Sequence, residues 1–135
     1  MDLIINGVTL TGDLMDADFM DAFEGAMLEM RDKAQAAKTA GYTRASDHYR
    51  AQCEVTNECL DKIFGEGTSE KLFGGRMNVM EHLEAMEQVN EWAMTERKRL
   101  NDFTNKYTQR QQAAIRQQQA QQFVSGKGGH NKGKH

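Results

Sequence analysis

A chain of 135 residues, 39% apolar and 27% charged, holds enough material for one domain, or one domain and a tail. No apolar run approaches the roughly 18 residues of a membrane span, and the opening MDLIINGVTL, with an acid at position 2, does not read as a signal peptide, so no membrane association is expected. The formal net charge of -3 hides a split: residues 103–135 carry six Lys or Arg and no acid, whereas the first 102 carry 11 basic and 20 acidic residues, an acidic body with a basic tail.

In chain order, residues 2–11 read as a β-hairpin. Asn6-Gly7 is a two-residue turn that supplies positive φ, flanked by Leu3, Ile4 and Ile5 and by Val8, Thr9 and Leu10. A first helix is expected from about 14 to 39, capped by Asp13 or Asp16, with Phe19, Phe23, Met27, Met30, Ala34 and Ala37 in one stripe and Gly41 closing it. Thr43 is the expected cap of a second helix running to about Phe64, with Tyr49, Cys53, Thr56, Leu60 and Ile63 on one face. Then comes FGEGTSEKLFGG, residues 64–75, in which Thr68 or Ser69 can cap a single turn carrying Leu72 and Phe73.

A third long helix starts near Asn78, which can cap it with Glu81 three residues on, and continues to about Lys106. Its expected stripe is Val79, Leu83, Met86, Asn90, Ala93, Arg97 and Leu100, widened by Met80, Val89 and Trp92. The Gln-rich segment beyond can extend that helix without packing support, and the Gly/Lys-rich end, from 125, reads as disordered. The chain has no Pro, so its loops rest on Gly, Asn, Asp, Ser and Thr. Expected fold: mainly α, three main amphipathic helices with a small N-terminal hairpin, a domain over 1–105 and a disordered or extended-helical tail over 106–135.

Candidate chemistry is sparse. The glycine stretch lacks the Gly-Lys-Ser/Thr of a phosphate loop, no strand precedes it, and Glu66 sits where phosphate would approach. Cys53 and Cys59, six apart, fall on different helical faces and match no zinc spacing; reduced, intracellular thiols are expected, with no metal and no cofactor. Glu81, Glu84, Glu87 and Glu91 recur as a solvated face. No nucleophile–base set stands out, so no enzyme activity is expected. The tail cations Lys106, Arg110, Arg116, Lys127, Lys132 and Lys134 suit phosphate contacts, with Tyr107 and Phe123 for stacking; the plainer reading is a solubilising tail or one docked on acidic protein surface, its own body included.

The hairpin start together with CLDKIFGEGTSEKLFGGRMNVMEHLEAMEQV resembles the tail assembly chaperones of tailed bacteriophages of Gram-positive hosts. The resemblance rests on Asp61, Phe64, Gly65, Gly67, Thr68, Lys71, Phe73, Gly74 and Asn78 and covers about 1–105; the Gln-rich and Gly/Lys-rich tail departs from the family pattern. It implies a non-enzymatic helical protein of the host cytoplasm, often self-associating, that coats an apolar helical tape-measure protein. The expected site is a groove between the first and third long helices, made by Phe19, Phe23, Met27, Met80, Leu83 and Met86, residues that suit an ordinary core equally well. The alternatives are a nucleic-acid-associated or host-targeting phage protein acting through the tail, and a virion component that self-assembles through its hairpin edge.

Overall fold

The computed structural model describes residues 2–130, with side chains placed through 121. The order is β1 (Leu3–Ile5), β2 (Val8–Leu10), α1 (Ala17–Thr39), α2 (Ala45–Phe64), α3 (Thr68–Phe73) and α4 (Val79–His130). The fold is mainly α with a two-stranded N-terminal hairpin, as expected. The chain divides into a first unit, Met1–Arg97, and a second from Lys98 onward.

β1 and β2 pair antiparallel with Leu3 opposite Leu10 and Ile5 opposite Val8. Asn6 (φ 51°) and Gly7 (φ 75°) make the turn, both at the positive φ that a two-residue hairpin loop requires. Alternation sends Leu3, Ile5 and Leu10 into the core and leaves Ile4 outside. The Asn6 side-chain amide donates to the Leu72 carbonyl at 3.1 Å. The hairpin thus packs on its own helices.

Asp16 caps α1, accepting from the Phe19 amide at 3.0 Å. Gly41 does not close this helix: α1 ends at Thr39, and Ala40 turns extended while its amide still reaches the Ala36 carbonyl. Nor does Thr43 cap α2. Arg44, in extended backbone with no capping side chain, holds that position, and Asp47 supplies the negative charge of the first turn. Along α2, Cys53, Thr56, Cys59, Leu60 and Ile63 are buried; Tyr49, the outermost member of the expected face, is exposed. Both thiols are free.

The glycine stretch is a structural connector. Gly65, Gly67, Gly74 and Gly75 all adopt positive φ. Neither Thr68 nor Ser69 caps α3: Thr68 donates to the Gly65 carbonyl at 2.7 Å, and the capping acceptor is Asp61, one turn back on α2. Its carboxylate takes the Ser69 amide at 2.8 Å and the Ser69 hydroxyl at 3.1 Å. The six-residue helix so anchored drives Leu72 and Phe73 into the core, both almost completely buried. Asn78 then caps α4 by accepting from the Glu81 amide at 2.9 Å, as the sequence predicts.

The first unit's core is one cluster centred on Trp92. Phe64 lies 5.7 Å from it between ring centroids, and Phe19 and Phe23 meet it edge-on at 6.3 and 6.5 Å. This aromatic set ties α1, α2 and α4 together. On the surface Lys33 and Lys62 of α1 and α2 alternate with Glu29 and Glu58 in a four-membered ring of ion pairs, Lys33 to Glu58 at 2.7 Å and Lys62 to Glu58 at 3.2 Å, with Lys62 also paired to Glu29. The two ammonium groups hold the Glu58 carboxyl below its ordinary range.

In the second unit, helix continues as the extended-helical alternative anticipates, and α4 reaches His130. The expected disorder from 125 is met by helix as far as His130; residues 131–135 lie outside the described residues. Lys98 pairs with Asp102 at 2.7 Å, and Gln111 donates to the Tyr107 hydroxyl at 3.0 Å.

Candidate functional site

The first unit leaves an open groove of about 760 Å³ between α1 and α4. Phe23, Met27 and Leu28 line it from α1; Asn90, Ala93 and Met94 from α4; Glu24, Glu87 and Arg97 add charge. Leu28 and Met94 are 53% and 68% exposed, so much of each side chain is in water with no covering group. Ala93, one position past the bulky Trp92, is the smallest of the lining residues.

The expected site residues divide. Phe23 and Met86 are core, 7% and 6% exposed, and Phe19 is packed among the aromatics; of these three Phe23 also lines the groove. Met27 is half-buried, lines the groove and touches Cys59 through a 3.8 Å sulfur contact. Met80 and Leu83 are exposed on α4 and are not among the groove residues. The correction has a physical cause: the buried face of α4 runs through His82, Ala85, Val89, Trp92 and Glu96. Two of these are ionisable residues that apolar patterning assigns to water, so the true inward face is rotated away from Leu83, Asn90 and Arg97. Leu28 and Met94 were missed because each flanks the expected stripe. Their signal is the adjacent apolar pairs Met27-Leu28 and Ala93-Met94, which widen the apolar arc beyond what the core uses.

Buried ionisable groups serve packing. Burial pushes the Cys59 thiol up to about 11 and raises that of Cys53, so neither is a thiolate at neutral pH. His82 stacks on Phe73 at 3.7 Å between centroids; its Nδ1 lies 2.7 Å from the Asn78 carbonyl and its Nε2 3.0 Å from the Asn57 carboxamide oxygen. Burial lowers its pKa, outweighing the Asn78 hydrogen bond and Glu81, which act the other way. His82 therefore joins α2, α3 and the start of α4. A second, smaller cavity of about 420 Å³ lies between α1 and α2, lined chiefly by Ala36, Ala37, Ala40, Tyr42 and Ala51. Among the described residues no group of three His, Cys, Asp or Glu could hold a metal ion, and no helix is long and apolar enough to cross a membrane.

Of the tail cations, Lys106, Arg110 and Arg116 are exposed on α4 beside exposed Phe103 and Tyr107. Lys127 lies in α4 beyond the described side chains, and Lys132 and Lys134 lie outside the described residues.

A protein-family model matches residues 6–122. The chain belongs to this family, DUF6673, a family of unknown function. No curated protein and no solved structure matches the chain. The matched stretch takes in the groove, the glycine connector and α4 through residue 122, so the helix past residue 105 is part of what the family model describes.

Proposed function

We propose that this DUF6673 chain is a non-enzymatic phage tail assembly chaperone that works in the host cytoplasm, its α1–α4 groove shielding an apolar helix of a tape-measure-type partner. The observation that carries the reading is the groove itself, with Leu28 and Met94 largely in water above an apolar floor. An amphipathic helix laid into such a groove anchors apolar side chains at helical spacing. Full burial of a Leu or Met is worth about 1.5–3 kcal/mol, so covering what remains exposed of these two contributes roughly 1–2 kcal/mol each. Flexible Met27 and Met94 suit a succession of differing helices along one long partner.

The test is co-expression with an insoluble fragment of a long helical, tape-measure-type protein. The fragment becomes soluble with the wild type and stays insoluble with Met94→Glu. A fragment that is never solubilised, or recovery of the chain from mature virions, refutes the reading.

A second reading draws on exposed Lys106, Arg110 and Arg116 next to Tyr107, a pairing of phosphate contacts with a stacking ring. It requires that the purified chain shift DNA or RNA at physiological salt and that Lys106→Gln/Arg110→Gln/Arg116→Gln abolish the shift.

A further inference from the structure

The α1–α4 groove has an apolar floor and a charged rim. On α4, Glu87, Asn90, Met94 and Arg97 recur at spacings of three, four and three, so they form one row along a single face of the helix. The row sets an acid at one end and a base at the other, ten helical steps apart, about 15 Å or nearly three turns. On α1, Glu24 and Leu28 are one turn apart and exposed, while Phe23 and Met27 lie deeper. Glu24, Glu87 and Arg97 are all exposed, and among the described residues none of the three has a salt-bridge partner. The α1–α2 face differs, because there Glu29, Glu58, Lys33 and Lys62 satisfy one another.

An acid and a base at fixed separation, on either side of an apolar centre, select what can lie between them. A wholly apolar helix would cover part of the rim and give Glu87 and Arg97 no partner for the water they lose. A helix with like charges at both ends meets repulsion at one of them. The complementary helix has a Lys or Arg about ten residues from a Glu or Asp, with apolar anchors at helical spacing between. Asn90, the polar member in the middle of the row, favours an amide or hydroxyl at one further position and so helps fix the register, as a single polar position does between paired helices. With Glu24 as a second acid, the contacting stripe of the guest is basic on balance.

We infer that the groove recognises this charge pattern: its client segments are amphipathic helices with a base seated at Glu87 and an acid at Arg97. A guest with the base first runs parallel to α4 and one with the acid first antiparallel, so both orders are admitted and like-charged ends are not. This selection rests on the client-helix reading and deepens it. Apolar fit supplies the affinity, and the two charged ends choose among apolar helices and set where along a long one the groove sits.

Fluorescence anisotropy of the full chain with labelled, Ala-rich helical peptides tests it. The peptides share the same Leu anchors and differ only at two flanking positions about ten residues apart, which are Lys/Glu, Lys/Lys, Glu/Glu or uncharged Gln/Gln. Lys/Glu binds the wild type most tightly, about two- to tenfold above Gln/Gln at low salt, the size of two exposed charge pairs, and the gap closes as salt rises. Glu87→Lys transfers the preference to Glu/Glu, and Arg97→Glu transfers it to Lys/Lys. Both positions are exposed, and Trp92 fluorescence verifies that the fold is retained. Four peptides that bind equally, all of them lost with Met94→Glu, overturn the inference and leave the client-helix reading standing. Lys/Lys binding the wild type most tightly overturns it too, since that is general attraction to an acidic body. Peptides of which none binds remove the groove as a helix site and the inference with it. Self-association of the full chain that Met94→Glu abolishes and Lys/Glu does not displace assigns the groove to a second copy, with the same consequence.

Discussion

Removing the Asp61 carboxylate tests whether the glycine connector is held from α2. Asp61 accepts two hydrogen bonds from Ser69, at 2.8 Å from the amide and 3.1 Å from the hydroxyl. The first is a capping bond, worth about 0.5–2 kcal/mol on replacement by Ala. The second, to a charged acceptor, adds on the order of 1 kcal/mol in this half-buried setting. Asp61→Ala therefore costs roughly 1.5–3 kcal/mol. Ser69→Ala keeps the amide bond and loses only the hydroxyl bond, about 1 kcal/mol. Once Asp61 is gone the hydroxyl has lost its acceptor, so the double variant is about as stable as Asp61→Ala alone, and the coupling energy equals the cost of Ser69→Ala. Urea unfolding followed by Trp92 fluorescence measures all four proteins, since the single Trp sits in the core that α3 closes. An Asp61→Ala cost below about 0.5 kcal/mol, the range of an ordinary surface change, or two single effects that add, refutes the capping assignment.

Gly12 is a steric requirement: a Cβ there would fall 2.3 Å from Phe19 Cζ, and that ring is braced by Phe64 and Trp92. Gly12→Ala costs about 1–3 kcal/mol by overpacking, read as a lower urea midpoint; an unchanged midpoint shows that the ring moves aside freely. His82 makes stability depend on pH. Its folded pKa lies below the unfolded value near 6.5, so the unfolded chain binds more protons as pH falls, and the contribution is complete above about 6.5 and lost below it. Between pH 7.5 and 5 the wild type loses more stability than His82→Gln, and parallel losses contradict the assignment. Phe23→Ala and Met86→Ala, both core, each cost about 2–5 kcal/mol. Met80→Ala and Leu83→Ala, both exposed, cost about 0.5 kcal/mol or less. Thermal melts of the four separate core from surface, and along α4 comparable losses at Met80, Leu83 and Met86 would place the inward face where apolar patterning alone puts it.

Local chemistry made the hairpin, the Asp16 and Asn78 caps and the apolar stripe of α1 legible, because each rests on residues a few positions apart. Phe73 in the core was legible from a short capped turn with an apolar payload. The cap of α3 was not, because its acceptor comes from Asp61 on another helix. The face of α4 was misjudged by about one residue since His82 and Glu96 are buried, and only tertiary partners such as Asn57 and the Phe73 ring make that burial tolerable for His82. The groove lies between the expected helices, and of the six expected residues Phe23 and Met27 line it. Patterning finds the stripe that fills a core and says little about the flank left over beside it, where Leu28 and Met94 line the groove.

The small residue Ala93 offers the sharpest separation of fold from function. Ala93 is half-buried and lines the groove beside Trp92. Ala93→Leu adds three carbons at the edge of the open groove, at a residue packed on one side against the core. Cavity filling of this kind stabilises by about 0.5–2 kcal/mol. The same carbons occupy the floor on which a partner helix would rest, and a helix held off by a methyl or two loses most of the dispersion contact that a close fit provides. The expected outcome is a melting temperature equal to or above the wild type, together with loss of client solubilisation. Stability and association thus move in opposite directions, which no general unfolding effect produces. A variant that melts early shows that Ala93 is already tightly packed, and that the groove does not reach its side chain. One that melts late and still binds everything shows that partners use another surface, with exposed Met80 and Leu83 the next to be tested.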